Sequence, residues 1–129
     1  MVRRKFTLLF LGWMVLITSL SLFSFSVDTE ETIWFPHLDK AVHFTFHLVI
    51  VVLGVLFIGE TEKNVWQWRK KLVFLLFFSL SYGLTIEFLQ WVMPLDRSAE
   101  IWDVLANTSG ALVGGLLIQT NRSRIEGLK

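Results

Sequence analysis

The chain has 129 residues, 53% of them hydrophobic, and a mean hydropathy of +0.58, which is too apolar for an ordinary soluble domain of this length. Its formal net charge of +1 provides no strong field to attract nucleic acid, so we expect no nucleic-acid partner. The absence of cysteine excludes disulfides, thiolate metal ligands and cysteine nucleophiles. These properties predict an integral membrane protein whose chemistry uses oxygen and nitrogen groups.

The first apolar stretch, residues 6–27, contains no charged side chain and is long enough to cross a hydrocarbon core of about 30 Å as a helix. Basic residues precede it, and Ser24 and Ser26 lie near its end, a pattern that also fits a signal peptide. The apolar core of a signal peptide usually runs for only about 7 to 15 residues. We therefore interpret 6–27 as a retained first span.

Three further apolar stretches follow, at residues 41–59, 72–95 and 101–118. Pro36 precedes the second stretch and Pro94 lies near the end of the third, as expected where helices begin or end. The loops between these stretches are short, so we expect no separate soluble domain. The sequence predicts an all-α integral membrane protein with four transmembrane helices in a compact bundle, as a single domain.

The positive charges indicate the orientation of this domain, which we assign to residues 1–129. Apart from Lys40 and Arg97, every lysine and arginine precedes the first span, separates the second from the third, or follows the fourth. Segments rich in lysine and arginine stay in the cytoplasm. The expected topology therefore has both termini in the cytoplasm.

Polar residues interrupt the later spans at helical spacing. Asp39, His43 and His47 follow one another at intervals of four, and Asp103 and Asn107 are again four apart. Residues spaced in this way lie on one face of a helix. We expect each set to form a polar stripe near the outer surface.

The third span contributes Glu87 and Gln90, about 12 and 6 Å below the predicted outer surface at about 1.5 Å per residue. These are also the depths expected for the polar residues of the other two spans. Intramembrane ionisable groups usually turn inward and pair, so we expect an outward-facing polar pocket. Its expected lining consists of Asp39, Lys40, His43, His47, Glu87, Gln90, Arg97, Asp103 and Asn107.

Polar groups between membrane helices can also simply hold a bundle together. We favour a functional site, because these groups are concentrated in one half of the spans while the other half is almost wholly apolar. Taken alone, Lys40 and Arg97 would be boundary residues whose charges reach the interface. Ala106, Gly110 and Gly114 form a small-residue face, which predicts close helix packing.

The segments DKAVHFTFH (39–47), EFLQ (87–90) and DVLANTSGALVG (103–114), with Arg97 after a proline-containing turn, resemble the VanZ-like family of small bacterial membrane proteins. The resemblance implies a multi-pass protein of the bacterial plasma membrane. For the founding member it implies low-level resistance to the glycopeptide teicoplanin. The family residues matched here are Asp39, Lys40, His43, Glu87, Gln90, Arg97, Asp103, Asn107 and Gly110.

The favoured function is binding of an envelope lipid, a cell-wall precursor or a glycopeptide in the pocket, which alters drug access without turnover. The alternative is an enzyme acting on a lipid-linked or cell-wall substrate. Its candidate catalytic residues are His43, Asp39, Glu87 and Asp103, and its candidate substrate-binding residues are Lys40, His47, Gln90, Arg97 and Asn107. No nucleophile is evident, so the reaction type stays open.

A metal site is a weaker hypothesis. Two histidines four apart, His43 and His47, together with Glu87 and Asp103, supply ligands suited to a divalent ion. Without a motif such as HExxH, we favour a hydrogen-bonded polar network and predict no cofactor. Solute transport is disfavoured because the inner half of the spans has no matching polar stripe. The lipid bilayer is an expected partner, and a second copy of the chain is an alternative way to enclose the site.

Overall fold

The structure is a computed structural model that describes residues 4–22, 38–61, 68–92 and 101–121. These residues form four α-helices: α1 (Lys5–Leu22), α2 (Leu38–Thr61), α3 (Trp68–Val92) and α4 (Ile101–Thr120). All four are long and apolar enough to cross a membrane, and the described residues contain no strand. The predicted all-helical membrane fold is confirmed.

The helices run beyond several of the apolar stretches that predicted them. α2 begins at Leu38 and α3 at Trp68, so both include charged residues at their starts. Hydropathy marks only the part of a helix suited to hydrocarbon, whereas hydrogen-bonded turns continue through the polar interface. α1 is described to Leu22, and residues 23–27 and Pro94 lie outside the described residues.

Successive helices are antiparallel, so α1 runs parallel to α3 and α2 runs parallel to α4. Contacts between α2 and α4 show this direction, since Phe44 contacts Gly110 and Leu48 contacts Gly114. The beginnings of α2 and α4 therefore meet the ends of α1 and α3. We call this end of the bundle the polar end, because it contains Lys40, His43, Glu87, Gln90 and Asp103.

α2 and α4 approach so closely that their backbones touch. A Cβ atom on Gly110 would overlap the backbone carbonyl of Phe44, and one on Gly114 would lie 2.7 Å from the carbonyl oxygen of Leu48. Small residues at four-residue spacing allow such an approach between membrane helices. This confirms the predicted packing role of Gly110 and Gly114, and it sets the register between the polar stripes of the two helices.

Apolar packing fills the rest of the bundle. One cluster consists of Val55, Ile58, Leu75 and Ile118, towards the end opposite the polar end. A second cluster attaches α1 to α2 through Phe10, Ile17 and Ile50. Large apolar side chains cover much of the outer surface, as expected for helices that face lipid. These two apolar clusters thus hold the helices together beneath the polar end.

Candidate functional site

Five polar side chains from three helices lie together at the polar end, and we call them the polar cluster. They are Lys40 and His43 of α2, Glu87 of α3, and Asp103 and Asn107 of α4. All but Lys40 are only 3 to 8% exposed. Burying ionisable groups is costly unless they interact with one another. The structure thus brings these five predicted residues together.

His43 is held by Asn107. The Nδ1 atom of His43 lies 3.0 Å from Oδ1 of Asn107. A carboxamide oxygen can only accept a hydrogen bond, so Nδ1 carries the proton and donates. In the neutral ring, Nε2 then carries the lone pair. It faces Asp103, with 3.8 Å between Nε2 and Oδ2.

Asp103 contacts both Lys40 and His43 of α2. Its Oδ1 atom lies 2.6 Å from Nζ of Lys40, whose side chain is 23% exposed. Asp103 also lies in the first turn of α4, where the positive end of the helix dipole stabilises a carboxylate. The ammonium group, the imidazole and the helix terminus thus converge on one carboxylate.

Glu87 completes the cluster from α3. One ligand atom each from His43, Glu87 and Asp103 lie within 4.8 Å of one another. The sequence had placed Glu87 at the deeper level with His47 and Asn107. Its side chain instead reaches the level of His43 and Asp103, because depth counted along a helix axis ignores the length and direction of a glutamate side chain.

His47 lies one turn deeper and has different neighbours. Its Nδ1 atom is 2.7 Å from Oγ of Ser79, and its ring packs so closely on Gly83 that a Cβ atom there would lie 2.8 Å from Cε1. Ser79 is 0% exposed and His47 is 4% exposed, so this hydroxyl and imidazole pair is buried within the bundle. The structure does not bring His47 into the group of candidate metal ligands.

Gln90 binds α1 rather than the polar cluster. Its Nε2 atom donates to the carbonyl oxygen of Ser21 at 2.9 Å. Nearby, the hydroxyls of Thr18 and Tyr82 lie 2.6 Å apart. These pairs attach α1 to α3 beside the site.

Two buried serines that contact predicted site residues were missed by sequence analysis, and one further buried charge was misplaced. Ser79 and Ser21 are buried polar residues, but isolated serines in apolar segments leave no periodic pattern. Lys71 had been counted with the loop before the third span. It lies within α3, in the half away from the polar end, and is 2% exposed. That half of the bundle is therefore less purely apolar than predicted.

Two predicted site residues lie partly or wholly outside the described part of the chain. Asp39 belongs to α2, but its side chain is outside the described set, and Arg97 lies outside the described residues. The described cluster already combines a cation, two carboxylates, an imidazole and an amide. Together these groups can bind a polar or charged ligand group, transfer a proton, or coordinate a metal ion.

A sequence model of the VanZ/LLP1 family matches residues 4–122 of the chain. This match covers all four helices. No curated protein and no solved structure matches the chain significantly.

Proposed function

The chain belongs to the VanZ/LLP1 family of membrane proteins, and from this premise we propose that its polar cluster binds a polar headgroup of the bacterial cell envelope. The binding would occur at the outer surface of the plasma membrane, on an envelope lipid or a lipid-linked cell-wall precursor. By occupying or presenting that component, the protein would reduce access of glycopeptides such as teicoplanin.

One observation carries this proposal: four polar side chains from three helices are buried together at one end of an otherwise largely apolar bundle. A bundle of this size does not need such a cluster for stability, because hydrogen bonds between membrane helices contribute only about 0.6 kcal/mol each on average. Lys40 offers a positive charge to a phosphate or carboxylate, and it is partly exposed at the edge of the cluster.

The proposal is tested by comparing isogenic glycopeptide-sensitive bacteria with and without the chain. We expect the minimum inhibitory concentration of teicoplanin to be a few-fold higher when the chain is present. Lys40→Met should reduce the rise, since it removes the partly exposed cation of the polar cluster. Lys70→Met is the matched control, because Lys70 is an exposed lysine on α3 at the opposite end. Equal concentrations with and without the chain, at normal membrane abundance, would contradict the proposal.

The proposal also requires the polar end to face outward, as the distribution of lysine and arginine predicts. The chain has no cysteine, so single introduced cysteines report accessibility without background. Ile101 and Thr120 are exposed and mark the two ends of α4. We expect a membrane-impermeant maleimide to label Ile101→Cys in intact cells and Thr120→Cys only after permeabilisation. The reverse pattern would place the cluster in the cytoplasm and exclude an outer-surface role.

The alternative, an enzyme acting on the same class of lipid-linked or cell-wall substrate, is favoured by the orientation of His43. Its Nε2 atom faces Asp103, while Asn107 fixes the opposite ring nitrogen, an arrangement suited to general acid or base catalysis. Glu87 would supply a second carboxyl group. Incubation of the purified chain with envelope lipid extract distinguishes the two functions. Binding retains a lipid stoichiometrically, whereas catalysis converts an excess of it into a product of different mass.

A further inference from the structure

The polar cluster has the ligand set of a small metal centre. His43, Glu87 and Asp103 come from three different helices, and one ligand atom from each lies within 4.8 Å of the others. Ligands of one tetrahedral zinc ion, at about 2.0 to 2.2 Å from it, lie about 3.3 to 3.6 Å apart. The distances between ligand atoms therefore need to shorten by up to about 1.5 Å around an ion, a shift that rotation of carboxylate groups can provide.

His43 is already oriented as a metal ligand. Metal-binding histidines usually donate their second ring N–H to an oxygen acceptor, which fixes the tautomer and the direction of the ring. Asn107 Oδ1 accepts from Nδ1 of His43 at 3.0 Å. The remaining atom, Nε2, points towards Asp103, where a metal ion would lie between nitrogen and oxygen. Asn107 is therefore in the position of an outer residue that orients the ligand.

Lys40 occupies one side of the same carboxylate. Its ammonium group, 2.6 Å from Asp103 Oδ1, shows that the cluster stabilises a positive charge at this point. A lysine ammonium and a metal ion repel each other and compete for carboxylate oxygens. The Lys40 side chain is 23% exposed, so its charge can move out towards water while its methylene groups stay in contact with the bundle.

We infer that His43, Glu87 and Asp103 bind one divalent transition-metal ion, Zn²⁺ or Mn²⁺, with Asn107 orienting His43 and Lys40 competing with the ion for Asp103. One imidazole and two carboxylates are borderline to hard ligands, which suits these ions better than Cu⁺. The site uses the same cluster as the proposed function, but it stands whether or not the chain alters glycopeptide susceptibility.

The test is calorimetric titration of ZnCl₂ or MnCl₂ into the full chain, purified in detergent and freed of metal with a chelator. We expect saturable binding of one ion per chain, with Zn²⁺ bound more tightly than Mn²⁺ at a mixed nitrogen and oxygen site. His43→Ala, Glu87→Gln and Asp103→Asn should each weaken binding by at least about 100-fold, and Asn107→Ala by about tenfold. His47→Gln removes an imidazole from the same helix but not from the ligand set, so its binding should match that of the wild type.

Lys40→Met separates this site from a purely structural network. Loss of the competing ammonium group should tighten binding by about tenfold or more, a change of about 1.4 kcal/mol, whereas Lys70→Met should not alter it. All variants are compared as monodisperse, helical protein by size exclusion and circular dichroism. Absence of saturable binding to folded wild-type protein would overturn the inference. So would binding that survives both His43→Ala and Asp103→Asn, or that Lys40→Met fails to tighten.

The two hypotheses fail in different ways. Protection against teicoplanin with no metal binding overturns the metal site and leaves the proposed headgroup binding intact. Metal binding without any effect on susceptibility supports the site and counts against the proposed function.

Discussion

Replacing Gly110 with valine should prevent stable assembly of the bundle. A Cβ atom at this position overlaps the backbone carbonyl of Phe44, and a backbone carbonyl cannot move aside as a flexible side chain can. Separating α2 from α4 would relieve the overlap but would lose the helix contact that the glycine allows. We expect a destabilisation of about 3 kcal/mol or more, at or above the upper end for overpacked sites.

The measurement is thermal unfolding of the detergent-solubilised chain, followed by circular dichroism and by recovery of monodisperse protein. Gly12→Val is the matched control, because a Cβ atom at Gly12 would meet no packing neighbour within 4 Å among the described residues. It makes the same chemical change at an open position of α1. If Gly110→Val unfolds at the same temperature as Gly12→Val, the close approach of α2 and α4 is wrong.

Asp103→Ala and Glu87→Ala should each abolish protection against teicoplanin while the protein still inserts and accumulates normally. Asp103 contacts both Lys40 and His43, so its removal disrupts the cluster at its centre. Lys40 is partly exposed and can turn its charge towards water, which limits the cost of losing its partner. Stability depends mainly on the apolar clusters and the glycine contact, which these substitutions leave in place.

Susceptibility and membrane abundance are measured in the same cultures. Ser109→Ala is the control, since Ser109 is an exposed polar residue of α4 on a different face from the cluster. If abundance falls in step with protection in both variants, the cluster stabilises the bundle and the functional hypothesis fails. A double variant, Lys40→Met with Asp103→Asn, would then be expected to recover abundance. It removes both charges of the Lys40–Asp103 pair together, so neither is left buried without its partner.

The fold was predictable because its main determinants are simple. Uninterrupted apolar length identifies membrane helices, since a helix satisfies its own backbone hydrogen bonds and needs only apolar side chains towards lipid. The face of α4 that contacts α2 was visible in the spacing of Gly110 and Gly114. The helix ends were predicted less accurately, because α2 and α3 include charged residues that hydropathy assigns to loops.

The candidate site was predictable in part for a similar reason. His43, Asp103 and Asn107 lie on stripes of period four, and the glycine contact aligns those stripes between parallel helices. The partners of His47 and Gln90 were not predictable. Ser79 is one serine in an apolar run, and the direction of Gln90 depends on how α3 is rotated against α1, which hydropathy does not specify. These contacts depend on how the helices pack against one another, which the sequence pattern does not specify.

The hydrogen bond from Gln90 to α1 ends on the backbone carbonyl of Ser21, not on a side chain. A second bond between α1 and its neighbours, from Nε1 of Trp13, also ends on a backbone carbonyl, that of Phe46. Every residue type provides a carbonyl, so the Gln90 contact does not require serine at position 21. Another small residue at this buried position would therefore keep the bond, provided that the first helix stays helical.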